Sequence, residues 1–151
     1  RKRASLSSSS LSVVSELKSG SAWYVPGGCS TIGRLFNDAC GRYAFAEDKH
    51  SGSIPLAFET VFDKAGDADV WTIKYNRDRD MTYSDLKADY IGYTGFKAFK
   101  TRNIYGCNTA KVPFYEETPF RPDYLLSDLI QILHPEIGDL GGLRYFCKLN
   151  E

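Results

Sequence analysis

Apolar residues along this chain switch between a strand-like and a helix-like rhythm. Leu11 to Leu17, with Val13 and Val14 inside it, reads as a short strand. Ser21 to Val25 reads as extended chain leading into a Pro26-Gly27-Gly28 turn. Ile32, Leu35, Phe36 and Ala39 then recur at i, i+3, i+4, i+7, one face of a helix. Ser30 stands where its hydroxyl can accept from a first-turn N–H, and Gly41 stands where a C′ glycine would stop the helix. Tyr43 to Ala46 reads as short and extended, and Glu47 to Gly52 as polar loop. A second helix is predicted over Leu56 to Ala65, with Phe58, Val61, Phe62 and Ala65 on one face and Gly66 ending it. Ala68 to Tyr75 is the clearest strand, because Val70 and Ile73 are β-branched and turn residues flank the run.

The second half repeats the alternation. Thr82 and Asp85 have capping-box spacing for a helix over Tyr83 to Asp89. A short helix near Gly95 to Phe99 and a strand over Asn103 to Cys107 follow. Residues 108–120 read as irregular. Pro122, favourable at a first helical position, starts the strongest helix, with Leu125, Leu126, Leu129, Ile130 and Leu133 apolar; His134-Pro135 closes it. Leu143 to Leu149 reads as a last strand or an extended tail packed on the body. Strands alternating with helices predict an α/β fold in three layers, with a mostly parallel sheet flanked by helices.

The chain has 151 residues, enough for one core. Residues 1–10, basic and then Ser-rich, read as a flexible tail, and 11–151 as a single α/β lobe. Nineteen basic residues balance nineteen acidic ones, so charge gives no reason to expect nucleic acid or an anionic membrane as partner. No apolar run approaches the ~20 residues of a membrane span. The serines after Arg1-Lys2-Arg3 stand where a signal peptide would be apolar. Cys29, Cys40, Cys107 and Cys147 lack CxxC spacing and read as buried thiols, or as holding one disulfide in an oxidising compartment.

Hydrolytic chemistry fits the residues poorly. There are two histidines, His50 in a polar loop and His134 at a helix end, where capping or packing suits it. No Gly-x-Ser-x-Gly elbow occurs, and Pro26 to Gly33 lacks the Gly-Lys-Ser/Thr of a phosphate loop. The stretch WYVPGGCSTIG offers more. A glycine turn running into a helix start exposes backbone N–H groups and a positive dipole end. Trp23 and Tyr24 beside it would then be flat contact surfaces for a ligand with apolar and anionic parts; equally, Trp23 is core and the glycines only turn the chain.

The ordered segments WYVPGGCSTIGRLFNDACGRYAFAED, GSIPLAFETVFDKAGDADVWTIKYN, FKAFKTRNIYGCN, RPDYLLSDLIQILHPEI and LRYFCKL carry a resemblance. They resemble the C-terminal lobe of helical-backbone (class III) periplasmic substrate-binding proteins, which serve ABC importers for iron-siderophores, haem and cobalamin, most of all those of Bacteroides-type bacteria. The resemblance implies two α/β lobes joined by a long helix, with ligand clamped between them. Only one lobe's pattern is present, so the N-terminal lobe is an expected partner. It also implies a periplasmic location, lipid-anchored in the full-length protein, and a metal-chelate ligand (ferric siderophore, haem or corrinoid) held without catalysis or cofactor. The family's ligand loop matches Trp23 to Thr31, so Trp23, Tyr24, Gly28, Ser30 and Thr31 are the expected contacts. Asn108 and Tyr115 either line the cleft or pack within their loop. Glu59 matches the acidic residue that docks on permease arginines, and is also favourable in a first helical turn. An aromatic patch at Trp23 and Tyr24 would favour self-association. Cys40 and the EIGDLGG segment depart from the family's usual pattern. Two other classes stay open: a scaffold module without small-molecule ligand, and a small hydrolase using a carboxylate or Cys107.

Overall fold

The computed structural model describes residues 11–19, 22–39, 41–134 and 143–149. The expected flexible tail, Cys40 and the Tyr115 side chain lie outside the described parts. Chain order gives β1 (Ser12–Ser15), β2 (Lys18–Ser19), β3 (Ala22–Pro26), α1 (Thr31–Asp38), β4 (Arg42–Tyr43), β5 (Ser53–Leu56) and α2 (Phe58–Ala65). There follow β6 (Val70–Tyr75), α3 (Tyr83–Asp89), a 3-10 turn (Ile91–Gly95), α4 (Lys97–Lys100), β7 (Ile104–Asn108), α5 (Phe114–Glu117), α6 (Pro122–Leu133) and β8 (Cys147–Lys148).

Two sheets form. The central one has the order β4-β1-β6-β7-β8, parallel except for the β7–β8 pair. Its inner strands β1 and β6 are buried on both faces, which is why Val13, Val14, Val70, Trp71 and Ile73 make continuous apolar runs rather than alternating ones. α1 packs on α6 and α2 on β3. The mainly parallel sheet flanked by helices agrees with the sequence pattern. The second sheet, β2-β3-β5, is antiparallel and small, and the pattern did not disclose it. It claims residues 53–56, so the helix expected from Leu56 starts only at Phe58, with Ala57 as N-cap. Pro55 fits there because β5 is an edge strand.

Other boundaries also moved. The strand expected over Tyr43 to Ala46 is Arg42–Tyr43 followed by a turn. The last strand is two residues long. α1 ends at Asp38 with Ala39 as C-cap, and Gly41 lies two residues beyond, its N–H bonded to the Phe36 carbonyl at 2.9 Å. That bond is the 6→1 bond of a Schellman end, so Gly41 closes the helix from C″ rather than C′, and it also lies close under Leu133, whose Cδ1 would be 2.6 Å from a Cβ there. Nearby, His134 caps α6 and its Nε2 donates to the Ala39 carbonyl at 2.7 Å, tying the two helix ends together.

Three buried or half-buried polar side chains lock the elements to one another. Trp23 Nε1 donates to the Ser15 carbonyl at 3.1 Å, and Trp71 Nε1 to the Glu16 carbonyl at 2.8 Å. Both indoles thus hold the carboxyl end of β1. Asp128 of α6 is fully buried and accepts from the backbone N–H groups of Arg144, Tyr145 and Phe146, at 2.8–3.2 Å.

Candidate functional site

The strand order fixes where a site can form. From β1 the chain crosses outward to β4, then returns past β1 to β6 and on to β7. The direction of winding therefore reverses between β1 and β6. In open parallel sheets, ligands occupy the crevice outside the carboxyl ends of the strands at such a reversal. Here those ends carry Ser15 and Glu16 on one side, Lys74 and Tyr75 on the other.

Two open hollows meet there. One, of about 370 Å³, is lined by Glu16, Tyr24, Pro26, Ser30, Thr31 and Lys74, among others. The second, of about 290 Å³, is lined by Thr31, Ile32, Lys74, Phe114, Pro119 and Pro122, among others. Thr31, Ile32 and Lys74 border both, so the two are halves of one groove over the start of α1. Tyr24 stands at one lip, 50% exposed, and Phe120, next to Pro119, is 82% exposed.

Glu16 and Lys74 give the groove its charge. Lys74 Nζ lies 3.1 Å from Glu16 Oε1, and both side chains are about four-fifths buried. Lys74 Nζ also sits 5.2 Å from the centre of the Phe114 ring. Glu16 is one of two described non-glycine residues with positive φ, at 72°. A left-handed conformation costs such a residue about 1–2 kcal/mol. It is imposed from both sides, since the Glu16 N–H donates to the Thr72 carbonyl at 2.9 Å while Trp71 holds the Glu16 carbonyl. Neither residue stood out in the sequence, although a strained residue at a strand end often marks a site.

The glycine turn serves the fold first. The Gly27 N–H bonds the Gly52 carbonyl at 2.9 Å, the Cys29 N–H that of His50 at 3.1 Å, and the Ser30 N–H that of Gly27 at 3.0 Å. These amides are spent inside the chain, contrary to the expectation that the turn presents them to a ligand. A Cβ at Gly27 would overlap the His50 carbonyl oxygen, at Gly28 that of Ala46, and at Gly33 that of Gly27. The glycines are there for close backbone approach. Gly28 is outside the described linings of both hollows and serves this packing. Ser30 does cap α1: its hydroxyl accepts from the Gly33 N–H at 3.0 Å and donates to the Gly27 carbonyl at 2.6 Å. The Tyr43 hydroxyl, its pKa raised mainly by burial, anchors the turn through the Pro26 carbonyl at 2.5 Å.

The remaining expected contacts separate. Trp23 has no exposed surface and packs among Phe58, Trp71, Tyr93 and Phe96. That corrects the idea of Trp23 as a contact surface, and with it the joint Trp23–Tyr24 patch for self-association. Tyr24, on the opposite face of β3, is the exposed one. Asn108 is buried at the end of β7. Its amide donates to the Arg77 and Arg79 carbonyls at 2.9 and 3.3 Å, and its oxygen accepts from the Ala110 N–H at 3.1 Å. It pins the loop after β6 and borders neither hollow, which corrects its placement in the cleft. Ser30 and Thr31 do border the groove. Glu59 is exposed in the first turn of α2, whose N-cap Ala57 makes no side-chain bond.

Cys107 is wholly buried, and burial pushes its thiol up to about 12, the reverse of an activated nucleophile. The hydrolase alternative loses its thiol candidate here. Cys29 is half-buried and Cys147 exposed, so of the described cysteines only Cys107 is a buried thiol of the kind expected. Among the described residues no three His, Cys, Asp or Glu converge as a metal site.

Known proteins share this chain's sequence pattern and fold. The family model for periplasmic binding proteins matches residues 2–110. An uncharacterized lipoprotein of Methanocaldococcus jannaschii is 31% identical over 128 residues, covering 84% of this chain and 30% of that protein. The TroA-like periplasmic binding protein FepB of Veillonella parvula superposes on 99% of this chain and 52% of its own length, with a TM-score of 0.69 at 15% identity. An ABC transporter substrate-binding protein of Listeria monocytogenes covers 89% of this chain and 52% of its own, with a TM-score of 0.63 at 15% identity. The chain thus spans about half the length of these structures and about a third of that lipoprotein. With the family's sequence pattern running through most of its length and its fold throughout, this chain belongs to the periplasmic binding protein family.

Proposed function

We propose that this chain is one lobe of a substrate-binding protein that delivers a metal chelate to an ABC importer. The chelate is a ferric siderophore, haem or a corrinoid, held without catalysis between this lobe and a second one. The protein works in the periplasm, lipid-anchored in its full-length form. The observation that carries this reading is the groove at the winding reversal, walled by Tyr24 and Phe114 and floored by Thr31, Ile32 and Lys74. Such a surface has apolar area for a large ligand, but it encloses only one side of it.

Affinity should follow from that half-enclosure. Apolar burial contributes ~25 cal/mol per Å², and association costs absorb several kcal/mol before any net binding appears. Calorimetric titration of this chain with ferrichrome, ferric enterobactin, haemin and cyanocobalamin is expected to give a dissociation constant in the high micromolar range at best. Nanomolar binding by the single lobe would defeat the clamp. Tyr24→Ala should weaken whatever chelate binds by about tenfold, the value of one lost aromatic contact, with thermal stability unchanged. An unaltered titration would move the site away from the groove.

Glu59 belongs to a different step. Its carboxylate projects from an uncapped helix start on the exposed face of α2. In a protein carrying both lobes, Glu59→Ala is expected to reduce uptake of radiolabelled chelate several-fold while leaving its binding intact, as a lost charged contact to permease arginines would. If binding falls in parallel with uptake, Glu59 acts in the cleft and not in docking.

A further inference from the structure

We infer that Lys74 selects for an anionic oxygen on the ligand, and that Glu16 is the counter-charge that keeps Lys74 in the groove until the ligand arrives. This rests on the clamp reading above. Lys74 is the one charged residue lining the hollow beneath Phe114, Pro119 and Pro122, among the described residues. The neighbouring hollow adds only Glu16. A ligand lying along the groove therefore passes over the Lys74 ammonium, with Glu16 as the carboxylate beside it.

An ion pair this dry is an unusual thing to keep in a groove. Desolvating two charges offsets most of their attraction, so a largely buried pair is a poor stabiliser. Glu16 also holds a left-handed conformation that glycine would adopt freely. Two tryptophan N–H groups and the Thr72 carbonyl enforce the local backbone. The fold thus spends stability to hold a carboxylate against Lys74. What it gains is an ammonium held over Phe114 as a fixed positive charge for a ligand oxygen. The start of α1, at Thr31 and Ile32, adds a positive dipole end beside the same spot. The chemistry recognised is an anionic oxygen, whether a catecholate of a ferric siderophore or a propionate of haem.

The test compares four probes on wild type, Lys74→Gln, Lys74→Arg and Glu16→Gln in a protein carrying both lobes, by calorimetry at two salt concentrations. Ferric enterobactin supplies catecholates and haemin propionates; cyanocobalamin, neutral overall, carries one phosphodiester, and ferrichrome is the neutral control. Wild type should favour one of the two anionic probes, and which one names the source. Lys74→Gln should weaken that probe at least tenfold and flatten its salt dependence, whereas Lys74→Arg retains most of the affinity. Glu16→Gln should strengthen it several-fold, because a neutral amide no longer competes for the ammonium; this variant decides the matter if Lys74→Gln fails to fold. Equal losses for the anionic probes and ferrichrome, or preference of wild type for ferrichrome, would overturn the charge selection while leaving the clamp standing. Absence of binding by all four probes to wild type would overturn both.

Discussion

Trp23→Ala is expected to cost the fold about 3–5 kcal/mol, the range for truncating a large buried aromatic side chain. The ring has no exposed surface and touches four other aromatics, with centroids 5.5–6.2 Å away. It lies on β3 of the small antiparallel sheet but donates to the Ser15 carbonyl of the central one. Losing it therefore opens a cavity at the seam between two sheets, where neither can collapse without breaking its ladder. Trp23→Phe separates the two contributions. It keeps most of the apolar burial but leaves the Ser15 carbonyl without its indole donor, an expected loss of about 1–3 kcal/mol. Urea unfolding followed by far-ultraviolet circular dichroism measures both. A cost below about 1 kcal/mol for the alanine variant would mean the ring is not seated as described. Because the same carbonyl row sets Glu16, Trp23→Phe should also weaken ligand binding even though residue 23 touches no ligand.

Asp128→Ala should be almost as damaging, at about 3 kcal/mol or more. Three backbone N–H groups converge on this one carboxylate, and each buried donor left without an acceptor costs about 1–3 kcal/mol. The segment they belong to carries Tyr145 and Phe146, both buried, so its release would also strip apolar cover from α6. Asp128→Asn restores one acceptor oxygen but turns an N–H₂ group toward the same donors, and should fall between. The pH dependence adds a sign. Burial raises the Asp128 carboxyl above its usual range, and the bonds from residues 144–146 only partly oppose this. A folded-state pKa above the unfolded one means stability that is full below the unfolded value and lost as pH rises through the folded one. The gap between wild type and Asp128→Asn should therefore widen as the solution is acidified through the carboxylate range. A gap that narrows on acidification would show that the three N–H bonds, not burial, govern this group.

Both residues were partly readable in advance. Trp23 and Tyr24 are neighbours on a strand, so one faces in and the other out; they could not share a contact surface. Asp128 sits at helical spacing with Leu125, Leu129 and Ile132, an acid in the middle of an apolar face, which signals a buried partner. Glu16 and Lys74 gave no such signal. Each looks like an ordinary charge at a strand end, and nothing local says that β1 and β6 lie side by side. Asn108 misled for the same reason, since its partners come from the loop after a different strand.

What the sequence determined by itself was whatever short-range physics controls. The Ser30 cap, the Thr82–Asp85 capping box, the α6 stripe and the β-branched run of β6 depend on neighbours within a turn or two. Their alternation was enough for an α/β lobe, and the ordered segments enough for the family. Tertiary structure alone decided the strand order, the small antiparallel sheet, the spent amides of the glycine turn and the ion pair over the groove. Those depend on which distant backbones lie 5 Å apart, and pairing of that kind is settled by the packing of the whole core rather than by any stretch of chain.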